Sequence, residues 1–341
     1  MSEPLVSIFC LTYNHERSIR QSLESFLMQK ASFNFEILIH DDASTDLTPH
    51  IIREFENIYP EIVKPIYQVE NQYKKRVGIS RTFQLPRAKG KYVAFCEGDD
   101  YWVDPYKLQK QIDFLEKNPN YVLSHTSFNY YYEKNDLFIP ANSESKEIIS
   151  IANNGSTAIM QQILNGNRYR VQTVTAVVRT EEYKSVIETD SFLYKSGYFL
   201  MGDTPLWVGL LHLGKFHYLP EITSVYRVAS GSACRSTNIK SKLRFDLSCE
   251  ELRLYLANNN NFPIPLVKQF ENDYFKRLLV YKAYDPYFQP QVVPYSKGFL
   301  YSKLIKLTSL SFVRFLLKIV IRIRLEYIRA KNFLFLLLNR N

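Results

Sequence analysis

The chain has 341 residues, 46% of them hydrophobic, which suits one large domain or two of ordinary size. Cys10, Cys96, Cys234 and Cys249 show no CxxC pair and no histidine at metal-ligand spacing, which argues against a zinc site or disulfide framework and for a reducing compartment. The net charge of +9 sits in one place: from Lys297 onward there are ten Lys/Arg against one acid, leaving 43 − 10 = 33 basic and 34 − 1 = 33 acidic groups before it, a balance that disfavours a nucleic-acid-binding body.

Near the N-terminus the apolar stretch 5–11 is short, preceded by Glu3 and followed by His15, Glu16 and Arg17. Those flanks do not suit a signal peptide, so a cytosolic location is expected. Residues 6–11 predict a strand leading into Thr12, Tyr13 and Asn14, and Ile19, Leu23, Phe26 and Leu27 recur at helical spacing within 18–28. A second strand, 35–39, runs into His40, Asp41, Asp42 and the turn that follows, and Ile51, Ile52, Phe55 and Ile58 mark another helix. Residues 63–69 predict a third strand, 78–88 a helix broken near Pro86, and 91–96 a fourth strand. Alternating strands and helices imply an α/β fold with a mostly parallel sheet and helices on both faces.

The second half is less regular. Residues 121–132 predict a long strand, 133–155 a polar loop, and 171–178 a further strand. Met201 and Gly202 lead to Asp203, placed to cap an apolar helix over 208–213, with Pro205 suited to its first turn. A strand over 222–228 carries Tyr226 and Arg227 and is followed by Ser230, Gly231 and Ser232. From Asn238 the pattern is helical, punctuated by Pro263, Pro265, Pro286, Pro290 and Pro294.

The cluster Glu97, Gly98, Asp99 and Asp100, directly after an apolar strand, is the most informative feature of the chain. Carboxylates crowded at the end of a buried strand repel one another and resist dehydration, so they favour a cation among them. A hard divalent metal shared with a phosphate suits them best; the alternative is a solvated acidic turn. In open α/β sheets ligands bind beyond the carboxyl ends of the strands, near the switch point. Thr12–Asn14, Asp41–Asp42 and Asp99–Asp100 each follow a strand end and are expected to share one rim.

Taken in order, these segments, with the stretch from Ala88 through Gly90 to Val93, and with Gly202–Asp203 and Tyr226–Arg227, resemble the family 2 glycosyltransferases. Those enzymes have the GT-A (Rossmann-like) fold and use nucleotide-activated sugars. The resemblance covers about residues 4–232, roughly two thirds of the chain. It implies that Thr12, Tyr13 and Asn14 line the donor pocket, with Asp41 or Asp42 accepting a hydrogen bond from the base. Asp99 would hold the metal, Mn²⁺ or Mg²⁺, with Glu97 beside it where many relatives carry Asp, and Asp100 would shape the donor site. The resemblance makes Asp203 the general base and places Arg227, with residues 230–232, where the chain closes on the diphosphate.

The chemistry agrees with these roles. Negative charge develops on the departing diphosphate, which a divalent cation and an arginine stabilise. The attacking hydroxyl must lose its proton to a carboxylate set apart from the metal, and direct displacement inverts the anomeric carbon. Arg227 as a surface ion pair and Asp203 as a helix cap are the competing structural readings. His40 reads as a packed strand-end residue, Lys74, Lys75 and Arg76 as a solvated run, and Trp102 and Tyr130–Tyr132 as candidate sugar-stacking surfaces.

In the tail, Arg314, Lys318, Arg322, Glu326 and Arg329 line one helical face opposite Phe312, Leu316, Ile319, Val320, Ile323 and Tyr327. No run there reaches the roughly 18 apolar residues of a spanning helix, so in-plane attachment to an anionic inner membrane face is expected, with packing on protein as the alternative. The expected organisation is a GT-A domain over 1–235, a helical extension over 236–295 and a basic amphipathic tail over 296–341. The expected activity is an inverting transfer from a nucleotide-diphosphate sugar, UDP-linked by expectation, to a saccharide acceptor that is lipid-linked, in surface polysaccharide synthesis. Two other readings compete: a sugar-nucleotide nucleotidyltransferase, which needs a glycine-rich phosphate loop that Leu11–Asn14 lacks, and a catalytically silent membrane adaptor.

Overall fold

The computed structural model describes residues 3–140, 155–165, 171–228, 238–292, 315 and 317–319. Two compact units are present, Met1–Tyr198 with Gly202–Val228, and Phe199–Met201 with Ala229–Asn341. In the first, β1 (Val6–Thr12), β2 (Phe35–Asp41), β3 (Val63–Tyr67) and β4 (Tyr92–Phe95) run parallel. Their side chains, apart from those of β3, are buried almost without interruption, which is why they read as apolar runs rather than as alternations. Val6, Ile8, Cys10, Ile37, Ile39, Tyr92 and Ala94 form one core with Ile19, Leu23 and Phe26 of α1 (Ile19–Leu27) and Ile52 and Phe55 of α2 (Thr48–Ile58).

The sheet continues through shorter and antiparallel pieces. These are β5 (Tyr101–Trp102), β6 (Tyr121–Tyr132), β7 (Leu137–Pro140), β8 (Val177–Arg179) and β9 (Lys215–Arg227). Among the described residues the nine strands form one sheet in the order β3-β2-β1-β4-β8-β6-β9-β5, with β7 on β6. The expected α/β architecture is present: parallel in its first four strands, mixed beyond, and flanked by helices. Chain order runs outward from β1 to β3 on one side and resumes with β4 on the other, so the switch point lies between β1 and β4.

Several local expectations are corrected. Residues 78–88 do not make a regular helix: Ser80–Gln84 is a π-helical turn followed by a 3₁₀ turn, Leu85–Arg87. Pro86 lacks a donor, and the buried Gln84 amide turns to the carbonyls of Leu38 (2.7 Å) and Cys10 (3.2 Å). The strand expected over 171–178 is a 3₁₀ turn, Thr173–Thr175, followed by the short β8, because side chains from elsewhere take the carbonyls a ladder would use. The polar loop after β6 contains a 3₁₀ turn, Glu133–Asn135, and β7; its residues 141–154 lie outside those described.

Further helices are α3 (Lys107–Lys117), α4 (Ser156–Asn165), α5 (Thr180–Thr189), α6 (Ser191–Lys195) and α7 (Asp203–Leu210), the last starting five residues before the expected apolar run. In the second unit, α8 (Ile239–Asn259) is capped by Asn238, whose side-chain oxygen accepts the Ser241 N–H at 3.0 Å. It packs against α9 (Ile264–Lys282), which has Pro265 in its first turn. Arg244 pairs with the buried Glu251 at 3.0 Å, joining two turns in the middle of α8. These are the extra C-terminal helices the pattern after Asn238 predicts; the serines and glycine at 230–232 and nearly all of the basic tail lie outside the described residues.

Candidate active site

The three polar strand ends meet at the switch point. The N–H of Asp42 donates to the Thr12 carbonyl (2.9 Å) and that of Gly98 to the Leu11 carbonyl (2.8 Å), so the ends of β1, β2 and β4 are laced together. Gly98 is required here: a Cβ on it would lie 2.7 Å from the Thr12 hydroxyl oxygen. Ser18 and Ser22 of the α1 region donate to the Gly98 carbonyl at 2.9 and 3.0 Å, and Ser22 also reaches the Asp100 carbonyl at 2.6 Å.

At the β1–β2 end the five candidate residues, Thr12, Tyr13, Asn14, Asp41 and Asp42, divide. Asn14 adopts a left-handed φ of 55°, its N–H donates to the Ser44 hydroxyl (2.9 Å), and its side-chain oxygen accepts the Thr45 N–H (2.8 Å). Its side chain, expected at the donor, therefore clamps two loops. Asp42 accepts N–H bonds from Gln72 (2.7 Å) and Tyr73 (3.1 Å), one on each oxygen, with the buried His40 ring 3.5 Å away. Asp41 Oδ1 and Thr12 Oγ1 are buried and have no hydrogen-bond partner, and Tyr13 is exposed at the rim. Burial pushes the Asp41 carboxyl up, against the hydrogen bonds it takes from Ser44. Of the pair left open by the sequence, Asp41 is the one with an oxygen to offer.

The acidic cluster divides in the same way. Asp100 is buried and accepts the Arg227 backbone N–H at 2.7 Å. Burial, Asp99 and Glu97 together raise its carboxyl well above the usual range. Glu97 accepts a hydrogen bond from the Thr173 hydroxyl at 3.1 Å, and its carboxyl is pushed to about 7 by burial and by Asp99, with Asp203 contributing in the same direction. Asp99 keeps 24% of its side chain exposed, with His15 Nε2 3.9 Å away and the other His15 ring nitrogen buried and unpartnered.

Arg227 is not free to meet a diphosphate in this structure, nor is it a surface residue. Only 9% of its side chain is exposed; Nε donates to the Asp99 carbonyl (2.8 Å) and a terminal nitrogen to Gln21 Oε1 (2.6 Å). Its guanidinium lies between the Tyr101 and Tyr131 rings, 5.5 and 5.2 Å from their centroids. Tyr131 in turn stacks on Phe138 at 4.6 Å. Asp203 opens α7 with Gly202 before it, and its Oδ1 accepts the Thr204 N–H at 2.7 Å; burial raises its carboxyl. Gly202, not Asp203, is the N-cap residue and no side-chain cap bond is made, so the expected capping role is not seen; Asp203 lies in the first turn with one oxygen held by the Thr204 N–H.

Trp102 is removed from the candidates: it is 1% exposed and its indole N–H donates to the Val174 carbonyl at 2.9 Å, so it is core. Lys74, Lys75 and Arg76 are exposed, with Lys75 paired to Glu70. The sequence reading missed His15, Gln21 and Thr173. His15 directly follows Thr12–Asn14 and was within reach of a motif argument, whereas Gln21 and Thr173 act over 206 and 76 residues of sequence and carry no local signal.

Among the described residues no three His, Cys, Asp or Glu side chains already form a metal cage. The arrangement suits instead a hard cation taken up with phosphate oxygens and water, for which one or two carboxylates suffice. Asp99 is partly exposed and open to that role, and the upward shifts of Glu97 and Asp100, caused first by burial and then by mutual repulsion, show carboxylates that a cation would stabilise.

Comparison with known proteins agrees with the geometry. Over 116 residues the chain is 44% identical to an uncharacterized protein of Mycobacterium tuberculosis, covering 33% of this chain and 32% of that one. It is 38% identical over 144 residues to the UDP-Glc:alpha-D-GlcNAc-diphosphoundecaprenol beta-1,3-glucosyltransferase WfaP of Escherichia coli, covering 42% and 53%. The chain thus spans between about a third and a half of the length of these curated relatives. The crystal structure of S. aureus TarS 1-349 in complex with UDP-GlcNAc shares the fold, with a TM-score of 0.55 at 18% identity over 80% of this chain and 72% of that one. The family model described as "Glycosyl transferase family 2" matches residues 7–181, just over half of the sequence and the whole span from β1 to the acidic cluster and beyond it, and the chain belongs to that family.

Proposed function

We propose that the chain is an inverting glycosyltransferase that moves a sugar from a UDP-linked donor to a hydroxyl of a saccharide acceptor carried on a lipid diphosphate, in surface polysaccharide synthesis. The observation that carries this reading is the set of unsatisfied or exposed acceptor groups on one rim: Thr12 Oγ1 and Asp41 Oδ1 at the nucleoside end, and Asp99 at the diphosphate end. The WfaP name and the UDP-GlcNAc complex of TarS support the choice of nucleotide and acceptor class.

In this reading Asp41 and Thr12 orient the nucleoside beside Tyr13, while Asp99, with Glu97 alongside, holds Mn²⁺ or Mg²⁺. The bound metal supplies positive charge to the leaving diphosphate. Arg227 acts through the cluster: its N–H and guanidinium hold the Asp100 carboxylate and the Asp99 carbonyl in place. Asp203 takes the proton of the acceptor hydroxyl as its oxygen bonds to the anomeric carbon and the bond from that carbon to the diphosphate oxygen breaks. The upward shift of its carboxyl improves it as a base near neutral pH.

We assign the catalytic part to residues 1–235, the helical extension to 236–295, and membrane attachment to the basic tail 296–341. Among the described residues no helix is long and apolar enough to cross a membrane. About 1 kcal/mol for each basic residue near an anionic leaflet supports a peripheral position on the inner face.

The test is Asp203→Asn. Turnover should fall by at least about a thousandfold, while UDP-sugar binding, measured by calorimetry, stays within a factor of about two or three of the wild type. Near-normal turnover in the variant would remove Asp203 from the mechanism; hydrolysis-free and transfer-free wild-type protein that still binds membranes would favour the adaptor.

A further inference from the structure

The turn Thr173–Thr175 is held from more directions than a connection of its length requires. The Val174 carbonyl accepts two bonds, from Trp102 Nε1 of β5 (2.9 Å) and from the Ser224 hydroxyl of β9 (3.2 Å). The Thr175 carbonyl accepts two more from α3, from Gln111 Nε2 (3.0 Å) and Lys107 Nζ (3.3 Å). Lys107 is fully buried, its other bond goes to the neutral Gln111 Oε1 (2.7 Å), and it lies 4.6 Å from the centre of the Trp102 ring. Burial lowers the Lys107 pKa to about 7, and holding this amine among neutral partners costs stability relative to a solvated lysine.

The turn also adjoins the end of β4, where Phe95 donates to the Ala176 carbonyl at 3.2 Å. From that fixed platform Thr173 extends a hydroxyl that donates to Glu97 Oε2 at 3.1 Å. One Glu97 oxygen is thereby fixed, which orients the other.

We propose that Thr173 is a positioning residue for the cation–diphosphate site, aligning the Glu97 carboxylate beside Asp99, and that Trp102, Lys107, Gln111 and Ser224 keep Thr173 at its station. This rests on the reading of Glu97 and Asp99 as the cation end of the donor site. Outer partners of metal-site carboxylates set ligand orientation, and their loss weakens metal affinity by about 10- to 100-fold.

The experiment uses the full chain with Mn²⁺ and UDP, without acceptor, by isothermal titration. Thr173→Val should weaken Mn²⁺-dependent UDP binding by about tenfold or more and leave UDP binding without metal unchanged. Thr173→Ser should restore the wild-type values, and Thr173→Ala should repeat the loss if the valine methyl disturbs the turn. In turnover, the valine variant should raise the Mn²⁺ concentration for half-activity with kcat at saturating metal nearly preserved. An equal Mn²⁺ response in the valine variant, the alanine variant and the wild type overturns the role of Thr173 and leaves the site reading standing. A wild type whose UDP binding ignores Mn²⁺ overturns both.

Discussion

The two Asp–Asp pairs of this protein, Asp41–Asp42 and Asp99–Asp100, stand at different strand ends and solve the same problem in the same way. In each pair the second carboxylate accepts backbone N–H bonds from distant segments, Asp42 on both oxygens from Gln72 and Tyr73, Asp100 on one from Arg227. In each the first is left with capacity to spare, Asp41 with a buried unpartnered oxygen and Asp99 with a partly exposed side chain. They differ in what surrounds the spare group. Asp41 is enclosed and suits a neutral donor such as a base N–H, whereas Asp99 lies open among other carboxylates and suits a cation.

The largest effect that tests this contrast is at Asp99. Asp99→Asn should reduce transfer by at least about a hundredfold, with a melting temperature at or above that of the wild type because one repelling charge is gone. A variant of normal activity would show that the exposed member of the pair is not the functional one.

Next in size is the division within the other pair. Asp42→Ala leaves two backbone N–H groups without acceptors and should cost about 2–4 kcal/mol in denaturant unfolding. Asp41→Ala loses only the Ser44 bonds, at a half-buried turn, and should cost less, about 1–2 kcal/mol, yet weaken UDP binding about tenfold. Equal destabilisation by the two substitutions would erase the distinction.

The smallest effect concerns pH. Because the Asp41 pKa is raised in the fold, the folded state holds that proton more tightly than the unfolded chain, and its stabilising share is lost as pH rises through the folded value. Asp41→Asn should therefore be more stable than wild type at pH 7, and the gap should shrink on acidification toward pH 4, as followed by urea titration. A gap that widens would mean that the carboxylate is satisfied after all.

The parts legible in the sequence were those whose physics is local. β1, β2 and β4 announced themselves because strands buried on both faces must be apolar throughout, and the rule that ligands gather at carboxyl ends then brought Thr12, Asp41 and the acidic cluster to one rim. The long strand Tyr121–Tyr132 was legible for its β-branched and aromatic content. Other features depend on partners far away in the chain. Nothing near Trp102 reveals that its indole caps a carbonyl 72 residues on, and the pattern around Val174 looks like a strand until the four donors that occupy its carbonyls are known. The same holds within the acidic pairs, since which Asp is consumed depends on donors 30 to 127 residues away.

The bond from Arg227 N–H to Asp100 joins residues 127 apart and comes from the last strand of the first unit. Without β9 beside β5 and β6, Asp100 would lack that donor and stand next to two carboxylates that repel it. The acidic cluster consequently depends, for its Arg227 bonds, on chain beyond the region matched by the family. A chain that stopped at residue 181 would keep the bracing from Ser18, Ser22, Gln72, Tyr73 and Thr173 but would lack Asp203 and the Arg227 bonds that complete the site.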